Sequence, residues 1–288
     1  MAEHMPGDPD ADDRFVRLDD GDMHVVEDGR PGAPAVLLIH GTAASASWWD
    51  LVIPRLAGAC RVIRVDLAGH GRSTAAGGYD IPAQARRAGA VLDRLGAGQV
   101  TVIGHSTGGY VATALAGQRP GLVNALALID TAPDLDAVMD QGLLGRLLLA
   151  PLPGRLLWRL RTEAVIRKAL SSAFTRPVEI PDAIVEATLG MTHRAVAGTA
   201  RGSLDYLRQR SLPDRLAGLG VPVLVIFGTA DKRWRSSSAA AYRDVPGARV
   251  ELLPGVGHTP MLEDPHTTGT LLLQFALGMK EENRVGPR

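Results

Sequence analysis

The segment Val100-Thr101-Val102-Ile103 is a β-branched apolar run, the pattern of a buried strand, and it stops abruptly at Gly104-His105-Ser106-Thr107-Gly108. Tyr110 to Gly117 then carries a helical pattern. A strand, a tight turn holding a serine and a helix, with glycines two residues either side of the serine, form the G-x-S-x-G arrangement in the context it requires. Glycine is needed at both flanks because strand and helix approach so closely there that a Cβ has no room. The turn aims the Ser106 hydroxyl outward beside the positive end of a helix.

At 288 residues the chain is long enough for one large α/β domain. Its 31 basic and 31 acidic residues balance, which removes any global electrostatic case for nucleic acid or for a general attraction to anionic membranes. A single cysteine, Cys60, rules out an intrachain disulfide and a thiolate metal cluster, and it reads as a buried apolar residue. The first thirty residues lack an apolar signal region and there is no membrane-length apolar run, so a cytoplasmic protein is the expectation. No histidine spacing suits a metal, and no dinucleotide fingerprint is present, so neither metal nor cofactor is expected.

Strand-like runs occupy Arg14–Leu18, Met23–Glu27, Ala35–Ile39, Arg61–Asp66, Val100–Ile103, Ala125–Asp130, Val223–Phe227 and Ala248–Leu253. Asp19-Asp20-Gly21-Asp22 between the first two is a hairpin signal, and the other six are too apolar for one wet face. Helical patterns fall at Ser47–Leu56, Ile81–Leu95, Thr107–Gln118, Ser236–Val245 and Pro265–Leu277. This alternation predicts an α/β fold with a mostly parallel eight-stranded sheet and helices on both faces. Residues 132–212 interrupt the rhythm with helical patterns alone: Leu143–Leu149, Arg155–Leu170, Pro181–Met191 and Ala195–Gln209. They read as a helical cap inserted after the sixth strand, over the sheet's C-terminal edge. The α/β core then comprises 14–131 and 213–278, between an acidic N-terminus (1–13) and a C-terminal tail (279–288) expected to be disordered. The arginines of the inserted segment (Arg146, Arg155, Arg159, Arg161, Arg167, Arg176) read as a solvated face.

A serine hydroxyl needs an adjacent base, and the base needs an orienting acid. Downstream of Ser106, the seventh strand runs out at Gly228-Thr229-Ala230-Asp231, and the eighth runs into Gly255-Val256-Gly257-His258. Serine, acid and histidine therefore arise in the order, and at the strand ends, that a Ser106–Asp231–His258 triad requires. Asp130, at the end of the sixth strand, is the rival acid.

His40-Gly41-Thr42, Asp66-Leu67-Ala68-Gly69-His70-Gly71-Arg72-Ser73, the Ser106 turn, Gly228-Thr229-Ala230-Asp231 and Gly257-His258-Thr259-Pro260-Met261-Leu262-Glu263-Asp264-Pro265 occur in this order. Together they resemble the α/β-hydrolase fold superfamily, in its capped bacterial serine hydrolase and esterase-like group. The resemblance implies an oxyanion hole from the backbone N–H groups of Thr42 and Thr107. It also implies that His40 holds the oxyanion loop, that Glu263 fixes the His258 loop, and that Asp66 is structural. Trp48, Trp49, His193 and Met261 are the candidates for the pocket lining, with His105 assigned to the core.

The expected reaction is hydrolysis of a medium-sized, mainly apolar carboxylic ester, lactone or thioester through a Ser106 acyl-enzyme. The apolar preference rests on the Leu-, Ala- and Val-rich inserted segment. A C–C hydrolase, perhydrolase or cofactor-free lyase, cyclase or dehydratase on the same scaffold stays open, as does a ligand-binding receptor with a vestigial triad. The expected partner is a small-molecule substrate, with no nucleic acid and no membrane, and a homodimer is left open.

Overall fold

The computed structural model describes residues 12–278. Residues 1–11 and 279–288, where disorder is expected from sequence, lie outside the described residues. Asp12 and Asp13, also assigned to the N-terminal tail, instead open strand β1 (Asp12–Leu18). They pair there with Glu27 and Val26, and the Asp13 carboxylate accepts hydrogen bonds from Arg72 and meets the His24 ring at 2.9 Å, so the acidic residues have partners that the sequence pattern does not display.

The remaining strands are β2 (Gly21–Gly29), β3 (Ala35–Ile39), β4 (Arg61–Val65), β5 (Val100–His105), β6 (Val123–Ile129), β7 (Val223–Gly228) and β8 (Ala248–Leu253). They form one eight-stranded sheet in the order β1-β2-β4-β3-β5-β6-β7-β8. β1 and β2 are an antiparallel hairpin, β2 pairs antiparallel with β4, and every pairing from β4 to β8 is parallel. β5 and β7 are buried along their whole length, which explains their unalternating apolar sequence.

Each face of the sheet buries its own core. Leu37, Val102, Leu126 and Val225 pack on one face beneath α2 (Ile81–Arg94) and α3 (Thr107–Gln118). Leu38, Ile103, Ala127 and Ile226 pack on the other with Trp49, α1 (Ile53–Leu56) and α11 (Pro265–Ala276). The helix expected over Ser47–Leu56 is broken into a 3-10 turn (Ala46–Trp49) and α1. Pro54 is the cause: it lacks an N–H and its ring clashes with a preceding carbonyl, so a helix restarts with proline in its first turn. Ser236–Asp244 is likewise a 3-10 stretch.

Between β6 and β7 the chain is helical: α4 (Gly142–Leu149), α5 (Pro151–Arg159), α6 (Glu163–Ala173), α7 (Asp182–Gly190), α8 (His193–Gln209) and α9 (Leu212–Ala217). The helix expected over Arg155–Leu170 is two helices. Arg161 donates to the carbonyls of Leu189 and Met191, drawing the chain off axis, and Thr162 caps the new helix by accepting from the Val165 N–H. The short α9, capped by Ser211 with Pro213 in its first turn, has too few residues to show a period. A short helix, α10 (Pro260–Glu263), precedes α11. No helix among the described residues is long and apolar enough to cross a membrane.

Candidate active site

Ser106 sits between β5 and α3 with φ 51° and ψ −118°. Positive φ is costly for a non-glycine residue and persists only where the surroundings over-determine it. Here the Ser106 N–H donates to Ile129 O at 2.8 Å, and the Ser106 carbonyl accepts from Gly109 N–H at 3.0 Å and from the Thr131 hydroxyl at 3.1 Å. The flanking glycines are sterically required. A Cβ on Gly104 would lie 2.3 Å from the Gly108 carbonyl oxygen, and one on Gly108 would lie 2.1 Å from that of Ile39.

Asp231 and His258 meet. The His258 Nδ1 is 2.8 Å from the Asp231 Oδ2. A carboxylate accepts, so Nδ1 carries a proton, and in the neutral imidazole the lone pair is then on Nε2. The other Asp231 oxygen accepts the N–H groups of Arg233 and Trp234, at 2.6 and 3.1 Å. Burial opposes ionisation of Asp231, but the His258 imidazole and these two amides outweigh it and hold its pKa below the usual carboxylate range.

Two further residues, whose contacts no sequence motif displays, steady the histidine. His105, directly before Ser106, donates from Nε2 to the His258 carbonyl at 2.8 Å, and the two rings are 5.0 Å apart. That bond ties the serine turn to the histidine loop. Burial, and then the neighbouring His258, push the His105 pKa well down, so it stays neutral. Trp234 packs edge-on against His258 at 5.7 Å. Glu263 holds the loop itself: Oε2 accepts Gly257 N–H at 3.0 Å, and Oε1 accepts the Thr259 hydroxyl at 2.9 Å.

Thr42 and Thr107 are also adjacent. Their hydroxyl oxygens are 2.7 Å apart, and Thr107 Oγ1 lies 3.0 Å from Ser203 Oγ on α8. Ser203 donates its one proton to Thr199 O. It must therefore accept from Thr107, which in turn accepts from Thr42, since each hydroxyl has a single proton. The Thr42 hydroxyl is thereby committed, which leaves its amide to face other groups. The Thr107 N–H opens α3 and so has no partner within the helix. His40 braces the adjoining loop, accepting Leu67 N–H at Nε2 (2.9 Å) and donating from Nδ1 to Gly41 O (2.7 Å). Asp66 accepts the N–H groups of Ala46 and Arg72 and bonds the His24 ring, a purely structural set of contacts.

The four candidate pocket residues are dispersed. Trp48 lies 6.3 Å from the His105 ring and 6.4 Å from Phe174, on the edge of the site. Trp49 and Met261 are fully enclosed in the core beneath α11, where large apolar side chains fill volume. His193 is away from the site altogether: its Nε2 bonds Leu148 O at 2.8 Å at the end of α4. The apolar residues of the insertion are also not all directed inward, because Leu143, Leu144, Leu152, Leu156 and Leu160 face solvent.

Asp130 proves to be a neighbour of Asp231. Ligand atoms of Asp130, Asp231 and His258 all lie within 4.8 Å of one another. Asp130 is fully buried at φ 40°; its Oδ1 accepts Gly228 N–H at 2.9 Å, while Oδ2 has no hydrogen-bond partner among the described residues. Burial, and then the charge on Asp231, drive its pKa well above the usual carboxylate range. Distance alone would let the three groups hold a cation, but one carboxyl whose burial disfavours its charged form and another saturated by two amides and an imidazole suit a proton better.

Residues 36–268 match the model of the alpha/beta hydrolase family. The chain belongs to the alpha/beta hydrolase family. A Bacillus subtilis protein provisionally named a 2-succinyl-6-hydroxy-2,4-cyclohexadiene-1-carboxylate synthase is 27% identical, the alignment covering 90% of this chain and 97% of the relative. A pimeloyl-[acyl-carrier protein] methyl ester esterase of Neisseria meningitidis is also 27% identical, with 86% and 78% covered. Among solved structures, a provisionally named epoxide hydrolase from Pseudomonas aeruginosa has a TM-score of 0.81 and 26% identity, with 96% and 98% covered.

Proposed function

We propose that this chain is a serine hydrolase that cleaves a medium-sized, mainly apolar carboxylic ester, lactone or thioester through an acyl-enzyme on Ser106. At the coarser level it is an ester-acting α/β hydrolase, in keeping with the esterase among its relatives. The observation that carries the finer reading is the Asp231–His258 hydrogen bond, tied through His105 to the turn that bears Ser106. In this reading the free Nε2 of His258 takes the Ser106 proton as Oγ attacks the carbonyl carbon. The amides of Thr42 and Thr107 receive the oxyanion. His258 then protonates the departing alcohol, thiol or ring oxygen, and water deprotonated by the same nitrogen releases the acid. Asp231 holds the imidazole tautomer and stabilises its charged form. A serine at the elbow, where epoxide-opening relatives form an alkyl ester on an aspartate, favours carbonyl substrates over epoxides. The insertion is the cap of this site, with Ser203 of α8 bonded to Thr107 beneath it.

Trp48, Phe174 and Trp234 border the His105–His258 region, and they support the apolar preference in place of the outward-facing leucines. Each methylene moved from water into such a pocket contributes about 0.8 kcal/mol, or about fourfold in kcat/KM. A panel of p-nitrophenyl esters from acetate to dodecanoate, run beside small lactones, should show that stepwise rise to a medium-length optimum. A flat profile, or hydrolysis of acetate alone, would contradict the substrate assignment.

The similarity to the B. subtilis synthase favours a second reading, in which the Asp231–His258 pair abstracts a substrate proton and no acyl-enzyme forms. The two differ in their demand for the Ser106 oxygen.

A further inference from the structure

The balanced net charge of the whole chain conceals a one-sided segment. Residues 142–161, which span α4 and α5, contain four arginines and no aspartate or glutamate. The same segment exposes its leucines: Leu143 is 73% exposed, Leu144 64%, Leu152 74%, Leu156 61% and Leu160 72%. No residue of α4 is buried, and in α5 only Gly154 is. Large apolar side chains occur singly on most surfaces, but four exposed leucines on two adjoining helices, with Leu160 at the end of the second, are a concentration that marks an interaction site.

The hairpin presents this face from a fixed base. Gly154 is pressed against the Leu148 carbonyl, where a Cβ would lie 2.3 Å from the oxygen. The same carbonyl accepts from His193 Nε2, and Trp158 Nε1 donates to Met191 O at 2.9 Å. Arg161 is spent on backbone carbonyls and Arg146 on Asp140. Arg155 and Arg159 are exposed and, among the described residues, pair with no carboxylate.

Exposed leucines interleaved with unpaired arginines on a helical hairpin match the demands of an interface that is apolar beneath an anionic rim. We propose that the α4–α5 hairpin docks this protein on an anionic lipid surface, leucines entering the acyl boundary and Arg155 and Arg159 meeting phosphate headgroups. A second copy fits the face less well. A two-fold contact would set this segment against its own copy, and with no aspartate or glutamate in it neither copy could answer the other's arginines. The docked hairpin would lie directly over α8, which carries the Ser203 bonded to Thr107, so lipid would be one helix away from the candidate site.

The test is sedimentation of the full chain with large vesicles of dioleoylphosphatidylcholine, with and without dioleoylphosphatidylglycerol. The expected result is binding to the anionic vesicles at least about tenfold tighter than to the neutral ones, weakened by salt. L152E/L156E and R155E/R159E should each lose at least about tenfold, with melting temperatures unchanged because all four positions are exposed. Leu143→Glu, on the other helix, serves in place of a double variant that fails to fold. Wild-type protein that stays in the supernatant, or binding indifferent to both pairs of substitutions, would overturn the proposal. So would a dimer seen by sedimentation equilibrium without lipid and dissolved by L152E/L156E, because the face would then belong to a second copy.

Discussion

Ser106→Ala should lower turnover of the best ester in the substrate panel by roughly 10⁴- to 10⁶-fold while leaving the fold intact. The size follows from the geometry. Removing Oγ removes the only atom at the tip of the strained turn that can attack a carbonyl, and His258 has no other proton to take at that position. In the proposed mechanism, whatever hydrolysis remains would come from water activated by His258 and from the amides of Thr42 and Thr107. The substitution deletes one oxygen from a residue that is 7% exposed, so it leaves no large cavity. Relief of strain is not expected, because the positive φ is set by backbone bonds to Ile129, Gly109 and Thr131 that alanine leaves in place. Turnover of the true substrate that persists in Ser106→Ala would instead favour proton abstraction by the Asp231–His258 pair.

Asp130→Asn should stabilise the protein increasingly as pH rises, the second large effect. An unfolded chain releases the Asp130 proton near its ordinary value of 3.8, whereas burial and the Asp231 charge keep that proton bound in the folded state. The folded state therefore binds more protons above that pH. The contribution of Asp130 to stability is fully present below the unfolded pKa and is lost as pH rises through the folded pKa. Each pH unit in that window costs the wild type about 1.4 kcal/mol. Asparagine does not titrate, can accept Gly228 N–H through its amide oxygen, can donate to Asp231 through its amide nitrogen, and tolerates positive φ. Urea unfolding of both proteins at intervals from pH 4 to 8 should show the variant gaining on the wild type with that slope at every pH below the folded pKa of Asp130, and a constant gap above it. A difference that stays flat with pH would mean that Asp130 is ionised in the folded protein. Turnover should be retained, since Asp231 and not Asp130 bonds His258 Nδ1.

Asp130 also marks the limit of what a local motif encodes. Asp130 and Asp231 stand at the ends of β6 and β7, adjacent parallel strands, and either is placed by its strand to serve as the acid. Reading them as rivals assumes that only one can approach His258. The packed structure brings both close and shifts their pKa values in opposite directions, and those shifts depend on burial and neighbours that no motif records. His105 illustrates the same point from the other side. Its position before Ser106 makes it a core residue on pattern grounds, yet its Nε2 reaches a carbonyl 153 residues away.

Most strands were legible because they are short apolar runs punctuated by glycine, proline or an acidic turn, and β1, more than half charged, is marked by the hairpin turn that follows it; all eight fall where the pattern puts them to within a few residues. Helix continuity was less legible. The break before Thr162 depends on Arg161 reaching carbonyls of α7 and of the turn that follows it, a tertiary contact, whereas the break at Pro54 had a local cause in plain view. The insertion was legible as helical but not in its orientation. Leucines at helical spacing signal an apolar face without saying what that face meets, and on α4 and α5 it meets solvent. The inference of an apolar pocket from those leucines therefore passes to Trp48, Phe174 and Trp234.

The proposed mechanism depends most on Ser106 being an activated nucleophile. Intact-mass spectrometry after treatment with a fluorophosphonate tests this directly, because the reagent forms a stable adduct only with a serine whose proton is removed as it attacks. One adduct is expected on the wild-type chain and none on Ser106→Ala. An unmodified wild type, or an adduct that survives Ser106→Ala, would contradict the proposed mechanism.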